Sequence, residues 1–240
     1  PDWLVEYDPD DLPSRLIFYG VSDWALTPGS GDFTVHIVFG VDSRGHIWIV
    51  QLSRKQTDIL EGVDNCIELM LAEETGQRPL RWFCERVALQ KAIGPVLRKR
   101  MQESMAFTVL EEVSVTGFGG KDSPERAGSI AGAMQMGYVH VPRNASWLGQ
   151  LKHEISRFPR GRFDDQVDGL ALIGMKLSSL RGMAAEPVAP LGIPILKPGM
   201  FTFNDAMNRR ANIRGGLGRS RETIMLPAEP TIEWPEMCID

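Results

Sequence analysis

Three short apolar runs near the amino end, Leu16–Ser22, Phe33–Val41 and His46–Leu52, constrain the fold more than any other feature of this sequence. Each is rich in β-branched or aromatic residues and closes on turn chemistry, which is the pattern of strands rather than helices. Asp42-Ser43-Arg44-Gly45 makes a good hairpin loop, and Thr27-Pro28-Gly29-Ser30-Gly31-Asp32 a longer one. Consecutive strands joined this way pair antiparallel, so a three-stranded meander is expected.

The period then changes. From Gln56 to about Glu74 the apolar positions Ile59, Val63, Ile67 and Met70 recur at helical spacing, with Asp58 placed to cap the start. Leu80–Cys84 reads as a strand, residues 88–104 as a helix interrupted near Gly94-Pro95, and Phe107–Val113 as another strand. Three strands, helix, strand, helix, strand is the order of a mixed α/β sheet with helices laid against it. Beyond Gly117-Phe118-Gly119-Gly120, residues 124–136 read as helix, Tyr138–Val141 as extended, Trp147–Arg157 as helix, and a last helix is expected from about Phe163 to Leu180. From Arg181 onward regular periodicity fades and prolines concentrate, so residues 1–180 are read as the folded domain and 181–240 as a tail.

Composition fits one domain with an appendage: 43% of the 240 residues are hydrophobic, enough for one well-buried core. No apolar run approaches the roughly 18 residues of a membrane helix, and the chain reads as a soluble segment of a longer polypeptide. Three widely spaced cysteines, Cys66, Cys84 and Cys238, form neither a zinc knuckle nor a disulfide framework, which suits a reducing cytosol. A formal charge of -5 argues against coating nucleic acid through bulk electrostatics, while leaving room for a local basic groove.

Chemistry is concentrated in acids that stand where elements end: Asp23 after the first strand, Glu85 after the fourth, and Asp164-Asp165-Gln166-Val167-Asp168 opening the last helix. On an ideal helix Asp164 and Asp168 lie about 40° apart and Asp165 about 60° from Asp168, so all three share a face. Val167, Leu170, Ala171, Gly174 and Leu177 keep an apolar stripe that docks the helix while its first turn projects the acids. Like charges at this spacing cost a few tenths of a kcal/mol, so something should offset them. One offset is the helix dipole. The other is divalent metal: Mg²⁺ and Mn²⁺ prefer carboxylate oxygens, and a pair of such ions supports phosphodiester cleavage.

The residues also carry a resemblance. Tyr19-Gly20-Val21-Ser22-Asp23-Trp24-Ala25, Gly31-Asp32-Phe33-Thr34-Val35, Arg81-Trp82-Phe83-Cys84-Glu85 and Arg157-Phe158-Pro159-Arg160-Gly161-Arg162-Phe163-Asp164-Asp165-Gln166-Val167-Asp168-Gly169-Leu170-Ala171 together resemble the C-terminal nuclease domain of tailed-phage terminase large subunits, over roughly residues 15–180. The resemblance implies an RNase H-like fold, with the first strand central and the fourth parallel beside it. It implies an endonuclease that cuts concatemeric viral duplex DNA during packaging, in the cytoplasm of the infected host. Two Mg²⁺ or Mn²⁺ ions would be held by Asp23, by Glu85 and by the acidic cluster, with Asp165 the first choice there and Asp164 and Asp168 as contenders. A terminase ATPase domain, the small terminase subunit and the portal are the implied partners. Gly117-Phe118-Gly119-Gly120-Lys121-Asp122 lacks the spacing of a phosphate loop and the Ser or Thr after its lysine, so it is read as a plain loop. Many relatives carry His where Phe163 stands, which leaves the metal count open.

A nuclease needs cations beside its acids. Arg157, Arg160 and Arg162 flank the cluster, and Lys121 and Arg126 match a basic pair often found in these domains, so all five are candidate DNA contacts. The arginines between Arg209 and Arg221 suit flexible phosphate or partner contact, or a solubilising tail. The four histidines follow no metal spacing and are read as core or surface residues. Competing readings are a Holliday-junction resolvase or transposase-like nuclease with the same acids, and a noncatalytic module that docks the portal or motor. A proofreading exonuclease fits less well, because its first motif would place Glu where Ala25 stands.

Overall fold

The computed structural model describes residues 3–25, 32–72, 75–115 and 124–185. The expected meander is present. Strands β2 (Ile17–Asp23), β3 (Thr34–Val41) and β4 (Ile47–Lys55) pair antiparallel in sequence order. Strand β5 (Arg81–Glu85) lies parallel beside β2, and β6 (Val109–Val113) parallel beside β5. On the other side β7 (Val139–Pro142) pairs parallel with β4, and β1 (Val5–Tyr7), too short to stand out from the sequence, pairs parallel with β7. The resulting seven-stranded sheet runs β1-β7-β4-β3-β2-β5-β6. It is an RNase H-like mixed α/β sheet.

Helices cover both faces. On one lie α1 (Ile59–Leu71) and a helical run built from α2 (Arg86–Ala88), a π-helical turn (Leu89–Ile93) and α3 (Gly94–Glu103). The Asp58 carboxylate accepts from the Glu61 amide at 2.9 Å, as a capping residue should. Gly94-Pro95 does not break the chain's second helical run: the widened turn before it absorbs the proline. Val63, Cys66, Ile67, Met70, Leu89 and Leu97 pack here against Val38, Trp82 and Cys84. The face also holds a neutral polar chain. His36 Nε2 donates to the Gly62 carbonyl at 3.0 Å, which leaves Nδ1 to accept from the Ser22 hydroxyl at 2.7 Å, while Ser22 Oγ accepts from Trp82 Nε1 at 2.7 Å.

On the opposite face lie α4 (Pro124–Gln135), α5 (Leu148–Arg157) and α6 (Asp165–Ala185). They close over Tyr19, Val21, Val35, Ile37, Phe39 and Phe83. Gly174 lets α6 approach α4 closely, since a Cβ there would stand 2.8 Å from the Ile130 nitrogen. Helix α6 continues to Ala185, past Leu180 where the sequence reading ended it. The remainder of the proposed tail, including Arg209–Arg221, lies outside the described residues. At the end of the sheet where β4 begins, His46 Nδ1 and His140 Nε2 hydrogen-bond at 3.0 Å, with Trp48 stacked on His140. Among the described residues no helix is long and apolar enough to cross a membrane.

Candidate active site

Strand geometry brings the first acids together. Ser22 of β2 pairs with Cys84 of β5 in a parallel register, so Asp23 and Glu85 are the next residues out at one end of neighbouring strands. Side chains alternate across a sheet. Tyr19 and Val21 on β2, and Phe83 on β5, face the α4–α6 side, so Asp23 and Glu85 face it too. Asp23 is buried there and Glu85 half-buried.

Helix α6 delivers the third corner to the same place. Its first intrahelical bond runs from the Asp168 amide to the Asp164 carbonyl at 2.8 Å. Asp165 Oδ1 accepts from the Phe33 amide at 3.3 Å, just before β3 begins opposite the end of β2, where Asp23 pairs with Val35. One turn on, a Cβ at Gly169 would stand 3.1 Å from Ile37 Cδ1, so the helix lies close on β3. Asp165 and Asp168 are buried and Asp164 half-buried.

Three residues unassigned or misplaced by the sequence reading complete the surroundings. Arg54, on β4, pairs with Val35, so Asp23, Val35 and Arg54 form one row across three strands. Its side chain is 5% exposed, with Nε 3.6 Å from Glu154 Oε2 and Nη2 3.8 Å from Asp165 Oδ2. The guanidinium carbon sits 3.3 Å over the Phe33 ring and 5.2 Å from that of Phe163. Glu154, buried on α5, accepts from the backbone of Gln166 at 2.6 Å and Val167 at 3.1 Å, and from Gln166 Nε2 at 2.7 Å. Arg126 is the correction: expected at the surface as a DNA contact, it is 2% exposed, with Nη1 3.8 Å from Asp168 Oδ1. Arg157, Arg160 and Arg162 are exposed beside the acidic turn, and Lys121 lies outside the described residues.

The electrostatics are those of crowded, buried acids. Burial pushes the Asp165 carboxyl above its usual range; the Phe33 amide opposes this, Glu154 adds to it, Arg54 opposes it and Asp32 adds to it. Asp165 Oδ2 is buried with no hydrogen-bond partner. By type the donor set, all carboxylate oxygens at one end of one face, suits a hard divalent cation, and Asp165 Oδ2 lies in ion-pair range of Arg54 with no hydrogen bond. Among the described residues no three His, Cys, Asp or Glu side chains are already gathered into a metal cage.

No protein-family model and no curated protein matches the chain. Solved structures do. The nuclease domain of the human cytomegalovirus terminase, soaked with manganese and carrying an inhibitor, superposes with a TM-score of 0.56 at 10% identity, over 75% of this chain and 92% of that one. The fold is that of a terminase nuclease domain. A Thermus phage large terminase nuclease domain aligns at 19% identity with a TM-score of 0.47, over 71% of this chain and 90% of that one. The large terminase nuclease of a thermophilic phage, with bound zinc, aligns at 18% identity with a TM-score of 0.46, over 71% and 92%. In this terminase-nuclease fold the acids of the chain stand where β2, β5 and α6 converge.

Proposed function

We propose that this chain is a divalent-metal-dependent endodeoxyribonuclease that cuts concatemeric viral duplex DNA during genome packaging in the bacterial host cytoplasm. One observation carries the reading: Asp23 and Glu85 leave neighbouring parallel strands at the same end and on the same face that receives the acidic first turn of α6. Asp23, Glu85 and Asp165 would hold the metal, with Asp164 and Asp168 beside them. Two Mg²⁺ or Mn²⁺ ions, when bound, would supply activation of the attacking water and stabilisation of the leaving oxygen. The protein's own part is to keep these carboxylates crowded and aimed, and to receive the phosphate backbone on exposed Arg157, Arg160 and Arg162. No helix among the described residues resembles a base-reading helix, so cutting with little sequence preference is expected. A terminase ATPase domain, a small terminase subunit and a portal are the proposed partners.

Supercoiled plasmid, incubated with Mn²⁺ or Mg²⁺ with and without chelator, tests the reading. Wild-type protein should nick and linearise it only with metal. Asp23→Asn should lower the rate by at least about a hundredfold, the worth of roughly 3 kcal/mol of transition-state stabilisation, and Asp165→Asn should also lower it. Cutting without metal, or undiminished cutting by Asp23→Asn, sinks the mechanism.

A further inference from the structure

The acidic turn poses a physical problem that α6 does not solve from within. Its first turn carries Asp165 and Asp168, with Asp164 immediately before, and its leading amides need acceptors. Glu154 meets part of that need from another helix, taking the Gln166 and Val167 amides together with the Gln166 side chain. A buried carboxylate so near Asp165 would drive the turn away, and Arg54 stands between them, 3.6 Å from one and 3.8 Å from the other. Neither contact is short enough to be a hydrogen bond, so charge and stacking on Phe33 and Phe163 hold the guanidinium in place. Arg54 in turn is fixed to the sheet in the row that carries Asp23.

We propose that Glu154 and Arg54 are the positioning residues of the acidic turn. Glu154 caps α6 from outside and Arg54 ties that cap and Asp165 to the strand row of Asp23, so that together they set where the third acidic corner stands relative to the first. The inference rests on the nuclease reading for its purpose, though not for its geometry. Supporting groups of this kind act through the ligands they orient, and their loss commonly costs 10–100-fold in metal affinity or activity.

The test compares the wild-type chain with Glu154→Ala, Glu154→Gln and Arg54→Met, using two readouts that need no cleavage. Amide hydrogen exchange in chelator should quicken at Gln166 and Val167 by at least about tenfold in Glu154→Ala, while β2 and β3 keep their protection. Glu154→Gln retains one acceptor oxygen and should recover much of that protection. Mn²⁺ affinity, followed by water-proton relaxation, should fall about 10–100-fold in all three variants. On plasmid, kcat should fall while KM for DNA stays. Unchanged exchange at the two amides with unchanged Mn²⁺ affinity overturns the proposal. So does faster exchange spread evenly over the whole sheet, which would mark a packing role only. If Glu154→Ala does not fold, Glu154→Gln and Arg54→Met carry the same decision through Mn²⁺ affinity. A wild-type chain that never cuts DNA would defeat the nuclease reading, while the exchange result would still decide the cap.

Discussion

The two faces of the sheet bury polar groups by opposite strategies. Beneath α1 the chain from Trp82 through Ser22 and His36 to Gly62 is neutral, and each donor meets an acceptor at 2.7–3.0 Å. Beneath α6, Arg54, Arg126, Glu154, Asp165 and Asp168 are charged groups sunk to similar depth, with ion pairs at 3.6–3.8 Å and several atoms, including Arg126 Nη2 and Asp165 Oδ2, without hydrogen-bond partners. A satisfied neutral chain contributes rigidity, while buried charges that lack hydrogen bonds are costly to keep and depend on the ion pairs around them. The candidate acids Asp23, Asp165 and Asp168 all lie on the charged face, and the neutral chain lies on the other.

The largest effect should come from unbalancing the charged face. Arg126→Leu removes the buried cation 3.8 Å from Asp168 and with it one side of a buried ion pair, which costs about 3 kcal/mol. Adding Asp168→Asn should restore part of the loss, because the charge that Arg126 faced goes with it. Urea melts of the two single variants and the double variant measure this. A double variant less stable than Arg126→Leu alone would show that the pair is not what supports Asp168.

How much of this was legible in the sequence follows from local patterning. The meander could be read because β-branched runs and turn residues are local signals, and Asp58 announced its cap because its partner is three residues away. Asp23, Glu85 and the acidic cluster stood out because each ends or begins an element. Arg54 did not. The apolar pattern stops at Leu52, yet β4 runs on to Lys55, and the register between β3 and β4 shifts so that Val38 meets Gln51 while Phe39 meets Ile49. That bulge at Val50 moves the α6-facing positions from Ile47 and Ile49 to Leu52 and Arg54, which simple alternation from Ile49 would have turned the other way. Glu154 was equally hidden, since on its own amphipathic helix a glutamate looks like a surface residue until α6 is seen to begin against it. Arg126 was read as a candidate DNA contact on the strength of a family pattern, and only packing shows it turned inward.

On the neutral face the expected response is to pH. Burial lowers the His36 pKa to about 4, against an ordinary value of 6.5. The folded chain therefore binds this proton less readily than the unfolded chain, so stability is lost as pH falls from 6.5 towards 4, by roughly 3 kcal/mol in all. Asp165 runs the other way: its carboxyl is raised by burial, so its share of stability is lost as pH rises through the folded value. Melting in chelator between pH 7 and pH 4 should show an acid limb that flattens in His36→Gln; an unaltered limb would break the contrast between the faces.

The smallest effect tests the boundary between the two strategies at adjacent residues. Ser22 and Asp23 are neighbours on β2, yet their side chains enter opposite faces, one into the neutral chain and the other towards α6. Ser22→Ala would strand the Trp82 indole N–H and the His36 acceptor nitrogen, a loss of about 1–3 kcal/mol. Because a strand's pleat separates neighbours as surely as distance does, that cost should register in the urea midpoint and leave metal-dependent plasmid cutting near the wild-type rate. A Ser22→Ala variant with normal stability but slowed cutting would mean that the two faces communicate through β2, and that the hydrogen-bonded chain beneath α1 helps aim Asp23.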